Sequence, residues 1–298
     1  MKVLLIGHPL GHSASGIFQN AGFRALGIDV SYENCDIGSG ELENKIDEIR
    51  KSDQYLGCNI TIPYKTDIIK LLNEIDNSGF AGITGAVNTV VRRQDGRLCG
   101  YNTDVTGFRE AVKRKLKINF AGKNILIVGA GGAGRAVVAA IELSSEVDKP
   151  AGVVMADIDL SKAARIEAEA GRPGINFAAK DADDIDEEIQ KADLIINATP
   201  LGTGKDTRTP INTDLLHKGQ YLFDVVYNPV ETALLKKAKG KGVICSNGLS
   251  MLFYQGWHAF RLWIEEYNGR SGLKLRPDNA VHDKMKDALK KHFGVDEL

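Results

Sequence analysis

Four glycines fall within six residues at Gly129-Ala130-Gly131-Gly132-Ala133-Gly134, between an apolar run at 125–128 and a helical pattern at 135–143. A buried strand can turn directly into a helix through so tight a loop only where side chains are missing. The segment reads G-x-G-x-x-G in the strand–loop–helix setting that the pattern requires. The first glycine makes the turn, the second lets a phosphate group approach the backbone, and the third lets helix and strand pack closely. N–H groups at the helix start then hold the phosphate charge. The bland alternative is a tight connection with no ligand; the setting favours a dinucleotide. The next strand ends in Asp157-Ile158-Asp159. An acidic residue there hydrogen-bonds a ribose 2′-OH and repels a 2′-phosphate, and no arginine stands beside it. Asp157 is therefore assigned to ribose, and Asp159 fits better as the cap of a helix starting at Leu160.

The same alternation runs through the rest of the chain. Residues 3–7, 31–36 and 55–62 read as strands, and 17–26, 41–51 and 67–75 as helices. That is β-α-β-α-β-α, the pattern of a parallel sheet covered by helices. A hairpin interrupts it, with 88–94 and 97–102 flanking Asp95-Gly96, a two-residue turn signal. Such a turn sets Asn88 opposite Thr103 and makes Asn88 and Asp104 neighbours. Further strands are expected at 153–156, 194–198, 221–226 and 243–245, a helix at 161–170, and a helical pattern from 249 onward. At roughly 150 residues per domain, 298 residues make two. The expected organisation is α/β throughout: residues 1–106, with 248–298 packing back on them, and a Rossmann-type domain over 107–247.

Composition removes whole classes of function. Lys+Arg number 38 against 39 Asp+Glu, a net charge of −1, which argues against a nucleic-acid or membrane-surface binder held by bulk charge. No apolar run approaches the roughly 20 residues of a spanning helix, and the apolar stretch at 3–6 is too short for a signal-peptide core. Cys35, Cys58, Cys99 and Cys245 are scattered, without C-x-x-C or metal-ligand spacing, so no metal is expected and a reducing cytoplasm fits.

Candidate site residues gather at strand ends. Lys65 follows the strand at 55–62 at the expected entry to a helix. A cation there opposes the helix dipole, a poor place for a purely structural lysine, although position alone leaves a solvated surface lysine as the alternative to a functional one. Ser13 and Ser15 sit two apart in the loop after the first strand, where they either bind a carboxylate jointly or cap the next helix. Gln255 lies on a helical stripe with Leu252, Ala259 and Trp263, where its amide needs either backbone partners or a ligand hydroxyl. Tyr227 follows the strand at 221–226, where its ring either fills the core or meets a ligand at the carboxyl end, the place where open α/β sheets bind them.

Together these residues resemble the shikimate dehydrogenase family, including its quinate/shikimate branch. The resemblance runs from Gly7 to about Trp263. It is carried by the segments at 7–15, 59–65, 85–89, 100–104, 129–135, 197–202, 224–229 and 248–255. It implies reversible oxidation of the C3 hydroxyl of shikimate to 3-dehydroshikimate, and of quinate to 3-dehydroquinate. It makes Lys65 and Asp104 the catalytic pair. Ser13, Ser15 and Thr61 would hold the substrate carboxylate, with Tyr227 nearby, and Asn88, Asp104 and Gln255 the ring hydroxyls. Gly129, Ala130, Gly131, Gly132, Ala133, Asp157, Thr199, Val226 and Gly248 would hold the dinucleotide. Two departures stand out. The family's Ser-Pro-x-x-His-Asn is here Ser15-Gly16-Ile17-Phe18-Gln19-Asn20, and its Asn-Arg-Thr is Asp157-Ile158-Asp159. The second resembles the branch that uses NAD. A dehydrogenase for another cyclic polyol or amino-shikimate-like acid, and a non-catalytic ligand-binding regulator, are the alternatives. The Lys65–Asp104 pair argues against the regulator. Nothing in the sequence chooses between a monomer and a homodimer.

Overall fold

Strand β1 (Lys2–Gly7) is buried from Val3 onward, as a strand covered on both faces must be. It pairs in parallel with β2 (Ser31–Asp36) and β3 (Tyr55–Ile60). Between them run α1 (Ser15–Ala25) and α2 (Leu42–Lys51). The computed structural model describes residues 1–298 apart from 12, 39, 77–79, 171–174 and the side chain of Glu146. Met1–Gly107 with Phe253–Leu298 form one compact unit, and Phe108–Leu252 form another.

In the first unit a short β4 (Glu74–Ile75) and α3 (Phe80–Thr84) precede the hairpin β5 (Thr89–Arg92) and β6 (Leu98–Tyr101). The sheet order is β2-β1-β3-β5-β6-β4, with β5 antiparallel to both neighbours. Alternation along β1 puts Leu4 and Ile6 in a core with Ile46, Ile49, Tyr64 and Ile68.

Three sequence expectations fail here, each for a physical reason. The strand expected to reach residue 62 ends at Ile60, because Thr61 starts a turn closed by the Tyr64 N–H on its carbonyl (2.9 Å). The helix expected at 67–75 is a 3₁₀ turn, Asp67–Leu71, followed by β4. The chain is pulled out of helix by β6: Asn73 N–H donates to the Leu98 carbonyl (3.0 Å) and Asp76 N–H to that of Gly100 (2.8 Å). The hairpin is one residue out of the expected register, with Thr89 facing Tyr101. Its loop has three residues, not two: Arg93 N–H bonds the Arg97 carbonyl (2.7 Å), and Gly96 takes φ +86°. Three-residue loops of this kind end on a left-handed glycine.

Helix α4 (Asp104–Ala111) leads into the second unit. Its strands are β7 (Asn124–Val128), β8 (Gly152–Asp157), β9 (Asn176–Asp181), β10 (Leu194–Asn197), β11 (Tyr221–Asp224) and β12 (Ile244–Ser246). All are parallel, in the order β12-β11-β10-β7-β8-β9. The helices are α5 (Gly132–Glu142), α6 (Leu160–Glu169), α7 (Asp186–Lys191) and α8 (Ala233–Gly240). Chain order reverses between β7 and β10, so the loops leaving those strands diverge and open a crevice at their carboxyl ends. Leu126, Val128, Ile195 and Leu222 form a core with Ile189 of α7 and Leu234, Leu235 and Ala238 of α8.

From Leu249 the chain runs as α9 (Leu249–Ser271) and then α10 (Asn279–Phe293). In the first unit α9 lies on the sheet, where the buried Trp263 indole donates to the Val90 carbonyl (3.1 Å). Helix α10 packs along α1, with Met285 and Leu289 buried.

Candidate active site

Lys65 leaves the turn after β3 and reaches α4, the helix that Asp104 opens. Its Nζ lies 2.7 Å from Asp104 Oδ2, with the two side chains 17% and 9% exposed. Asn88 Nδ2 donates to the other carboxylate oxygen, Oδ1, at 2.8 Å. The orientation of the Asn88 amide is fixed by chemistry. Thr103 N–H, which can only donate, lies 2.8 Å from Asn88 Oδ1, so the opposite atom is the amide nitrogen and donates to Asp104. Asn88 Nδ2 also approaches Gln255 Oε1 of α9 at 3.3 Å. Lys65, Asp104, Asn88 and Gln255 thus form one hydrogen-bonded cluster. The helix-dipole argument for Lys65 does not survive, because the element after it is a short 3₁₀ turn. Asp104 sets its position instead.

Behind the cluster stands a buried polar layer that sequence reasoning missed. Asn59 Nδ2 donates to the Asn88 carbonyl and to Thr89 Oγ1, both at 2.9 Å, and Asn59 Oδ1 accepts from the Tyr32 hydroxyl (2.8 Å). Thr89 and Thr103 hydroxyls meet at 3.1 Å. Asn102 Nδ2 donates to Thr84 Oγ1 (3.0 Å) and the Ala86 carbonyl (2.9 Å), while its Oδ1 accepts from Asp104 N–H (3.1 Å). The available signal was an asparagine inside the otherwise apolar β3. Leaving one such group unpaired costs about 1–3 kcal/mol, so the layer holds Asn88 and Asp104 stiffly.

Ser13 and Thr61 lie on loops at the carboxyl ends of β1 and β3, and Ser15 opens α1. The loops are tied by Thr61 N–H to the Ile6 carbonyl (2.9 Å) and His8 N–H to that of Ile62 (3.0 Å). The N-cap of α1 is Ala14, and Ser13 Oγ accepts from Ser15 N–H (3.3 Å), the first N–H of the helix. Ser13 thus meets an N–H of the first turn as a capping side chain does, and among the described residues Ser15 makes no capping bond. Asp36 fastens the loop from β2, its Oδ2 accepting from Leu10 N–H (2.8 Å) and its Oδ1 lying 2.7 Å from His8 Nδ1.

The remaining candidates belong to the second unit. Gly129 takes φ +107°, and a Cβ there would lie 2.8 Å from the Ala198 carbonyl carbon. A Cβ on Gly134 would lie 2.0 Å from the Gly129 oxygen, so α5 could not close on β7 with any larger residue. A Cβ on Gly131 meets nothing within 4 Å. Open space thus lies over the residue where a pyrophosphate approaches the backbone, and Gly132 and Ala133 follow in the first turn of α5. The loop fits a dinucleotide. Ala130 N–H is spent inside the protein, on Asp157 Oδ2 (2.7 Å), while Asp157 Oδ1 accepts from Asp159 N–H (2.9 Å). Asp159 caps α6 through Ser161 N–H (3.2 Å). Ile158 between them is 85% exposed. Thr199, Val226 with Tyr227, and Gly248 follow β10, β11 and β12 in turn, and Gly248 N–H donates to the Val226 carbonyl (3.1 Å).

Among the described residues no group of three or more His, Cys, Asp or Glu is placed to hold a metal ion, and no helix is long and apolar enough to cross a membrane. A cavity of about 680 Å³ in the first unit, bordered by Tyr101, Asn102, His258 and Arg261, includes none of the expected site residues in its lining.

Comparison with known proteins identifies the family. The family model of the shikimate dehydrogenase substrate binding domain matches residues 5–90, and that of the saccharopine dehydrogenase NADP binding domain matches 125–245. A shikimate dehydrogenase (NADP(+)) of Pyrococcus furiosus is 38% identical over 262 residues, 88% of this chain and 89% of that protein. A crystal structure of a shikimate dehydrogenase with NADP⁺ superposes with a TM-score of 0.81 at 34% identity, covering 98% of this chain and 95% of the other. The quinate dehydrogenase of Corynebacterium glutamicum, solved with NAD, gives 0.79 at 32% identity, covering 95% and 98%. The chain belongs to the shikimate dehydrogenase family.

Proposed function

We propose that this protein oxidises the C3 hydroxyl of shikimate to 3-dehydroshikimate with NAD, reversibly, and accepts quinate as a second substrate. The 2.7 Å contact between Lys65 and Asp104, braced by Asn88 on the far carboxylate oxygen, carries the reading. Oxidising a secondary alcohol removes a hydride from carbon and a proton from oxygen as the carbonyl forms. NAD, when bound, supplies the hydride acceptor. Lys65 as free amine takes the hydroxyl proton and becomes an ammonium ion that Asp104 holds; in reduction the ammonium returns the proton to the developing alkoxide. Asn88 and Gln255 orient the ring hydroxyls, and Ser13, Ser15 and Thr61 take the carboxylate.

Asp157 and Ile158 support NAD as the cofactor. A carboxylate stands where NADP carries its phosphate, and an alkyl chain where a guanidinium would be needed to receive it. The Pyrococcus relative is named for NADP(+), whereas the Corynebacterium quinate dehydrogenase was solved with NAD, so the family spans both cofactors. With Ser13, Ser15 and Thr61 assigned to the carboxylate, none of these is left for quinate's extra hydroxyl, and a site that merely has room discriminates weakly. Initial rates for shikimate and quinate, each with NAD and NADP, test the proposal. The expected result is turnover of both acids with NAD, shikimate having the higher kcat/KM. A higher kcat/KM with NADP overturns the cofactor assignment, and inactivity toward both acids in a folded, NAD-binding preparation overturns the substrate.

A further inference from the structure

One buried carboxylate takes no part in that chemistry. Asp224 ends β11 with no solvent exposure. Its Oδ1 accepts from Asn197 Nδ2 (2.9 Å) and Val226 N–H (3.1 Å), and its Oδ2 from Thr232 Oγ1 (2.6 Å). Burial pushes its carboxyl above the usual carboxylate range, while the three donors pull the other way. A carboxylate in such a place is expensive, and an apolar residue would serve a merely structural purpose at lower cost.

Its partners show what it organises. Asn197 ends β10, and its Oδ1 accepts from both Thr199 N–H (2.9 Å) and the Thr199 hydroxyl (2.6 Å). Thr199 Oγ1 accepts in turn from Leu201 N–H (3.2 Å). On the other side Thr232 caps α8, its Oγ1 accepting from Leu235 N–H (3.2 Å). One carboxylate therefore ties together the loops at 197–201 and 224–232, which leave adjacent parallel strands at their carboxyl ends. Sheet order gives these loops their place. The glycine loop after β7 takes the pyrophosphate and Asp157 after β8 takes the adenine ribose. The nicotinamide half must then extend the opposite way, over β10 and β11.

We infer that Asp224 is a positioning residue that locks the β10 and β11 loops into one platform for the nicotinamide half of the dinucleotide. This rests on reading the second unit as the dinucleotide-binding one, and it predicts a selective defect. The experiment is titration calorimetry on the full-length protein with two ligands. One is NADH or NADPH, whichever the wild type binds more tightly; the other is ADP-ribose, which lacks nicotinamide. Asp224→Ala should weaken the whole dinucleotide on the order of tenfold, as expected for losing a buried hydrogen-bonded hub. ADP-ribose affinity should stay within about twofold, which also reports that the unit is folded. Asp224→Asn should restore binding, since its carbonyl can accept from Asn197 and Val226 while its amide donates to Thr232. Should Asp224→Ala not fold, Asn197→Ala removes one donor to Asp224 and the acceptor of Thr199, leaves Val226 and Thr232 on the carboxylate, and should show the same selectivity. Equal losses for both ligands, or no loss for either, would overturn the inference. The readout is binding, so failure of the proposed reaction shows up separately, in the rate assay.

Discussion

In the first unit the groups poised for chemistry are side chains bonded to one another: Lys65 to Asp104, Asp104 to Asn88, Asn88 to Gln255. In the second unit the groups proposed to meet the dinucleotide are largely backbone, presented by a glycine loop, and the buried side chains Asn197 and Asp224 stand behind the loops they tie. The difference follows from what each unit meets. A proton must be given and taken at one atom, which needs an ionisable group at a fixed distance. A pyrophosphate needs only diffuse positive potential and close approach, which N–H groups at a helix start provide without any side chain. Damage should therefore differ in kind. Side-chain deletions in the first unit should lower kcat or raise the substrate's KM and leave the dinucleotide bound, whereas changes in the second should move cofactor affinity or choice.

The severest test of this contrast is Lys65→Ala. With no group to carry the proton, kcat should fall by about 10²–10⁴, the usual span for losing an acid–base residue. Dinucleotide Kd, measured by calorimetry, should remain within about twofold of the wild type. Near-normal turnover would remove Lys65 from the reaction, and a large loss of dinucleotide affinity would break the division between the units.

A smaller effect is expected where the second unit does use side chains. Asp157→Asn with Ile158→Arg should narrow the preference for NAD over NADP by roughly 10–100-fold, about one charge-assisted hydrogen bond gained. Asparagine is chosen because Asp157 also holds Ala130 N–H at 2.7 Å, and alanine would loosen the glycine loop as well. The ratio of kcat/KM for the two cofactors reads the result. An unchanged ratio would mean that selection lies elsewhere on the loop.

The two units also differed in how openly the sequence displayed them. The glycine loop was readable because its demands are local: a positive φ at Gly129 and a missing Cβ at Gly134 are settled within six residues. The closeness of Asn88 and Asp104 was readable from the turn signal, although the hairpin register was off by one, since Asp95-Gly96 forms part of a three-residue loop. Elements decided by distant partners were hidden. Asp67–Leu71 and β4 carry a helical pattern but are claimed by β6. Strand β9 is half exposed and polar enough to read as a loop. Asn59 and Asp224 looked like isolated polar residues in apolar strands. Their partners, Tyr32 and Thr89 for one, Asn197 and Thr232 for the other, come from other strands or loops, and spacing along the chain does not reveal them.

The mildest prediction concerns the loop that carries Ser13. Asp36 binds Leu10 N–H and His8, and Leu10 in turn accepts from Ser13 N–H (3.1 Å), so the carboxylate steadies the serine at one remove. Leu10 N–H first, and His8 second, hold the Asp36 carboxyl below the usual carboxylate range. The sign follows from that lowering. The tie is complete above the ordinary aspartate pKa of about 3.9 and is lost as pH falls through the lower folded value. At neutral pH, Asp36→Ala should raise KM for shikimate about two- to fivefold, the scale of an exposed ionic tie, and leave dinucleotide Kd unchanged. Steady-state kinetics with each ligand varied in turn separates the two constants. A shift in dinucleotide affinity alone would show that the loop serves the cofactor, and the contrast between side-chain and backbone recognition would then not follow the division between the units.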